Sequence, residues 1–115
     1  MNVDNWKTQL KKGISEMIIL NILQEKTGYG LEIVKSLEEN EEIALTEGTI
    51  YPILSRLKAE GLVFTEWIES EQGRQRKYYS LSEKGRKVCK SLNEAWYSFI
   101  KNVDKIINSG KGGKK

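Results

Sequence analysis

Directly after Gly73 the chain sets three cations in four residues, Arg74, Arg76 and Lys77. Upstream, a segment opening at Thr46 carries Glu47, Thr49, Tyr51, Ser55 and Arg56 among apolar positions, with small Gly48 and the chain's only proline, Pro52, in its first turns. Guanidinium and ammonium groups on a projecting turn suit phosphate oxygens, and Tyr, Thr, Ser and Arg side chains can donate to phosphates or base edges. Taken singly, the three cations read equally well as a solvated turn, and each polar residue of the upstream segment reads better as wet surface. Their order along the chain favours a nucleic-acid-facing arrangement.

Other chemistries are poorly supplied. The chain has no histidine and one cysteine, Cys89. These counts exclude His-based triads, an internal disulfide and a zinc finger. Asp4 and Asp104 are the only aspartates, and no acid–base constellation stands out. We therefore expect no catalytic residues, no metal site, no cofactor and no enzyme. The net charge of +3 is mild, and Lys111, Lys114 and Lys115 account for it: 19 Lys+Arg less these three equals the 16 Asp+Glu. Any anion-binding face must therefore come from local segregation of charge. The absence of disulfide chemistry suits a reducing cytoplasm. The apolar run from Met17 to Leu23 is broken by Asn21 and too short to span a bilayer, which predicts a buried helix and no membrane partner.

The elements that must position the cations follow from periodicity. Trp6, Leu10, Ile14, Met17 and Ile18 recur at helical spacing and predict a first helix over 6–24. A second is expected over 29–39, after a tight Gly28-Tyr29-Gly30 connection. Thr46 is a good N-cap for a third, with Ile50, Ile53, Leu54 and Leu57 inward and Gly61 as its stop. Strand formers over 62–69 and 76–81 flank a turn containing Gly73, which predicts a hairpin with a basic tip. The burial of the first strand is ambiguous, because Phe64, Trp67 and Ile68 do not alternate cleanly. Ser82 to Gly85 opens a last helix carrying Cys89, Leu92, Trp96, Phe99, Val103 and Ile106 at alternating spacings of three and four, a heptad seam that calls for a partner. Asn108-Ser109-Gly110 is expected to end it.

The fold class is thus mainly α with a small β-hairpin. It comprises a winged helix-turn-helix over 1–81, a long C-terminal dimerisation helix over 82–108 and a flexible basic tail over 109–115.

The strings Gly28-Tyr29-Gly30-Leu31-Glu32-Ile33, Gly48-Thr49-Ile50-Tyr51-Pro52-Ile53-Leu54-Ser55-Arg56-Leu57, Glu60-Gly61-Leu62-Val63 and Arg76-Lys77-Tyr78-Tyr79-Ser80-Leu81-Ser82-Glu83-Lys84-Gly85 resemble the PadR family of winged-helix transcriptional regulators. The resemblance spans about residues 10 to 108, and the single C-terminal helix is similar to a compact, multidrug-sensing branch of that family. It implies a homodimeric repressor on palindromic double-stranded operator DNA. By position, Tyr29, Glu47, Thr49, Tyr51, Pro52, Ser55 and Arg56 would face the DNA, with Arg74, Arg76 and Lys77 on the wing. Trp6, Leu10, Cys89, Leu92, Trp96, Phe99, Val103 and Ile106 would form the dimer interface. The resemblance also implies a central pore where a planar aromatic or drug-like effector meets Trp96, with Met17 and Asn21 lining it. Phe99 and Ile100 either join that site or fill it. The competing reading is a protein-interaction module that dimerises through the last helix without binding DNA.

Overall fold

The computed structural model describes residues 1–112. Four helices and three short strands follow in the order α1 (Val3–Glu25), β1 (Gly28–Tyr29), α2 (Gly30–Glu38), α3 (Glu47–Ala59), β2 (Val63–Glu69), β3 (Gln75–Leu81) and α4 (Glu83–Gly112). The sheet is antiparallel, with β3 between β1 and β2. This is the winged helix that the sequence predicts.

The core forms where the helical stripes meet the base of the hairpin. Ile19, Leu20 and Leu23 of α1, Ile33, Val34 and Leu37 of α2, and Ile50, Ile53, Leu54 and Leu57 of α3 close around Leu62, Val63, Tyr79, Leu81 and Cys89. Burial of such side chains contributes about 1.5–3 kcal/mol each, so this cluster dominates stability.

Several boundaries differ from the sequence reading. Helix α1 begins earlier, because the Asn2 side chain caps it by accepting from the Asn5 amide at 3.1 Å. The Gly28-Tyr29 connection is a short strand, Gly28 pairing with Tyr79 and Tyr29 with Tyr78. Two residues carry no periodicity, so this third strand has no sequence signal. Helix α4 does not stop at Asn108–Gly110 but continues to Gly112. A single glycine costs only about 1 kcal/mol in a helix, and no atom outside the local helix lies within 4 Å of a Cβ built at Gly110. The rest of the expected tail, 113–115, lies outside the described residues.

Two glycines do meet a conformational demand. Gly61 (φ 77°) ends α3, and Gly73 (φ 80°) makes the hairpin turn, both in the left-handed region that side chains resist. Ser82 then anchors α4. Its hydroxyl donates to the Gly61 carbonyl at 2.6 Å and accepts from the Gly85 amide at 2.9 Å.

The heptad stripe divides between two environments. Cys89 is 2% exposed within the protomer's own core, so it has no surface to give a second chain, contrary to its expected interface role. Leu92 packs against the same core. Beyond Trp96 the stripe leaves the body: Phe99 is 68% and Ile106 74% exposed. With a rise of about 1.5 Å per residue, the 30-residue α4 supplies about 45 Å, the larger part of the molecule's long dimension of 64 Å.

Candidate nucleic-acid interface

Helix α3 and the wing converge on a cleft of about 470 Å³ whose walls are Tyr29, Gly30, Leu31, Tyr51, Trp67, Arg74, Arg76, Lys77 and Tyr79. Three of these residues are cations, four are aromatic and none is a carboxylate. A chain with a neutral body has therefore sorted its charge at this place.

The hairpin register explains the sorting. Val63, Thr65 and Trp67 pair with Leu81, Tyr79 and Lys77 on one face of the ladder. Val63, Leu81 and Tyr79 on that face are buried. Further out, the same face passes the rim of the core and becomes one wall of the cleft. Strand β2 lacks a clean burial pattern because both faces are wet beyond its first residues: Phe64 and Trp67 are 61% and 62% exposed. The ambiguity of Phe64, Trp67 and Ile68 in the sequence thus records a projecting wing.

The three cations differ. Arg76 is held: its guanidinium lies 4.5 Å from the centre of the Tyr29 ring and donates to the Tyr29 hydroxyl. Tyr29 packs edge-on against Tyr78 at 5.2 Å. It sits at the N-cap of α2, its amide donating to Glu32 Oε1 at 3.1 Å. Arg76 therefore ties the wing to the start of α2. Lys77 reaches over the cleft wall, its ammonium about 6 Å from the Trp67 and Tyr79 rings. Arg74 lies at the turn.

On α3, the sequence-predicted residues separate. Tyr51 lines the cleft, its ring packed on Gly30 so closely that a Cβ there would lie 2.3 Å from it. The second glycine of the Gly-Tyr-Gly string is thus explained by a close approach. Glu47, Pro52 and Ser55 are exposed and Thr49 half-buried, with the Thr46 and Thr49 hydroxyls 3.2 Å apart. The missing hydrogen bond and ring clash of Pro52 fall on Gly48, where the backbone can adapt and the nearest atom to an added Cβ is 3.8 Å away. Arg56 is not brought to the cleft. It lies near the opposite end of α3, and Glu16 of α1 holds its guanidinium at 2.8 Å. Trp67, Tyr79, Gly30 and Leu31 line the cleft in addition to the residues expected there. Strand pairing through β3, invisible without the register, brings the two aromatics in.

Three groups have pKa values raised by burial: the Tyr51 phenol (with Glu47 adding to the effect), the Tyr79 phenol (with Tyr51 adding), and the Cys89 thiol, against which an Asn93 hydrogen bond works weakly. A raised folded-state pKa means stability that is intact below the unfolded value and lost as pH climbs through the folded one. We expect stability to be level around neutrality and to decline above about pH 9, where the unfolded thiol and then the phenols ionise. Denaturation curves between pH 7 and 10.5 check this. Cys89 should resist alkylation in the native protein at pH 8, since the reactive thiolate is disfavoured and buried.

Of the expected effector residues, Trp96, Phe99 and Met17 do line one stretch of groove between α1 and α4. Trp96, Phe99 and Ile100 line a larger one of about 570 Å³ with Trp6, Leu10 and Val103. Asn21 lines neither; its side-chain amide pairs reciprocally with that of Asn93 at 2.8 and 2.9 Å, crossing from α1 to α4. Among the described residues, no helix is long and apolar enough to cross a membrane.

Three helices, a hairpin wing and a cationic cleft between wing and third helix define the winged-helix class. Residues 19–91 match the transcriptional regulator PadR-like family. The chain belongs to that family of transcriptional regulators, which also accords with its expected lack of enzymatic activity. A PadR-like transcription factor from Bacteroides fragilis is 38% identical, with 89% of this chain and 98% of that one covered and a TM-score of 0.73. A PadR family regulator from Eggerthella lenta is 30% identical, with 91% of both chains covered and a TM-score of 0.82. One from Bacillus cereus is 30% identical over 86% of this chain and 96% of its own, with a TM-score of 0.77.

Proposed function

We propose that two copies of this regulator bind a roughly palindromic operator as a repressor in the cytoplasm. The observation that carries this reading is the cleft beside α3, where Arg74, Arg76 and Lys77 gather with no carboxylate in the lining. In a two-fold dimer, paired α3 helices about 34 Å apart would enter successive major grooves while the wings track the backbone. A second copy is the natural cover for the stripe that α4 leaves bare. Trp6, Leu10, Phe99, Val103, Ile106 and Ile107 are all at least 42% exposed, and monomers rarely leave so extended an apolar face uncovered. Phe99→Glu with Val103→Glu should shift sedimentation from dimer to monomer, while circular dichroism keeps the helical signal. A wild-type chain that sediments as a monomer at micromolar concentration contradicts the dimer.

The groove at Trp96 supports effector sensing of the kind expected for the compact branch of the family. Its walls are largely apolar, and an indole offers stacking to flat aromatic molecules without demanding particular hydrogen bonds. An effector acts only if it binds better to a dimer whose α3 helices are wrongly spaced for DNA. A gel shift on the chain's own promoter should appear without additive and weaken with a planar aromatic cation. An unaltered shift at saturating cation rules that effector class out.

A further inference from the structure

We propose that Trp67 is a nucleic-acid contact of the wing, packing its indole on a deoxyribose of one strand while Lys77 takes a neighbouring phosphate. The inference rests on the DNA-binding reading above and assigns one residue of that site a non-ionic role. Trp67 pairs with Lys77 across the hairpin, on the face that buries Val63 and Tyr79 nearer the base. At Trp67 this face has outrun the core, and the indole stays 62% exposed. It overhangs the cleft in company with Tyr51 and the three cations. The folded chain therefore gives this large apolar surface little cover, although its position on a pleated strand is fixed by backbone pairing. The Lys77 ammonium is 6.0 Å from the ring centre, so a strand running along the wing would meet a cation and an apolar plate side by side. That pairing matches the alternation of phosphate and sugar in a nucleic-acid backbone. A base is the less suitable partner, because in a duplex it is already stacked.

The two residues make separable contributions. A phosphate contact releases counterions and steepens the dependence of affinity on salt, whereas a sugar contact adds affinity without changing that slope. Binding of the full-length protein to a labelled two-turn duplex of mixed sequence, and to its own promoter fragment, is measured by anisotropy over a range of salt. Trp67→Ala is expected to weaken both complexes by about tenfold through lost apolar burial, at unchanged slope because that contact releases no counterion. Trp67→Phe should recover most of the loss. Lys77→Ala should weaken binding and lower the slope by about one for each site engaged. With 5-fluorotryptophan incorporated, the fluorine resonance that disappears in Trp67→Phe should move when duplex is added. Because the indole is largely exposed, Trp67→Ala should match wild type in thermal melting, which guards against misfolding. If wild type binds duplex and Trp67→Ala binds equally well, the inference is wrong and the DNA reading stands. A Trp67→Ala slope that falls like that of Lys77→Ala also overturns it, since the indole would then only orient the ammonium. If wild type binds no duplex, the DNA reading itself fails.

Discussion

Replacing Arg74, Arg76 and Lys77 together by Ala is expected to lower affinity for duplex DNA by on the order of a hundredfold or more near physiological salt, and to flatten the salt dependence. The proposed dimer would lose two wings' worth of cations. Each phosphate released removes about 0.9 from the slope of log affinity against log salt. The loss should affect specific and random duplexes alike, because backbone contacts carry no base information. Fold and self-association should survive, since the three side chains lie on the wing and at the cleft rim, away from the core. The competing view, an interaction module that never touches DNA, predicts no change in its partner binding from the same variant. Arg76 need not behave like the other two. Its guanidinium is engaged with the Tyr29 ring and hydroxyl, so Arg76→Lys keeps the charge but loosens the tie between wing and α2.

The largest expected effect on stability comes from Gly85→Ala. A Cβ built at Gly85 lies 2.0 Å from the Leu62 carbonyl oxygen, a backbone atom with little room to retreat. That carbonyl accepts from the Ser82 amide at 3.0 Å, while Ser82 also binds the Gly61 carbonyl. Relief would have to pull the start of α4 off the turn between α3 and β2. Overpacking of this kind costs about 1–3 kcal/mol or more. For a domain of this size each kcal/mol lowers the melting temperature by about 4–8 °C. Gly110→Ala is the matched comparison, with no neighbouring atom within 4 Å; it should be neutral or slightly stabilising. Equal melting temperatures for the two variants contradict the close approach.

Gly85 also shows what the sequence did and did not disclose. The start of the last helix at Ser82 to Gly85 was legible, because the spacing of apolar residues that follows is a local pattern. The need for glycine at 85 was not, since the clash partner is Leu62. The same divide runs through the site. The inward face of α3 and the glycine of the wing turn follow from periodicity and turn chemistry. The split among the cations does not, because Tyr29 and Arg76 are joined across a strand pair too short to leave a pattern. Arg56 looked equivalent to Tyr51 on one helix, yet Glu16 claims it from α1. Cys89 and Phe99 share one heptad seam, but the end of the globular body falls between them, and only the packed structure shows where.

We propose above all that the cleft between α3 and the wing engages duplex DNA in a two-fold dimer. It is tested most directly by titrating the purified wild-type chain into its own promoter duplex at several salt concentrations, with the mass of the complex measured alongside. Saturable binding with two chains per duplex is expected, with affinity that falls steeply as salt rises. No complex at moderate salt, or one whose affinity ignores salt, would contradict it.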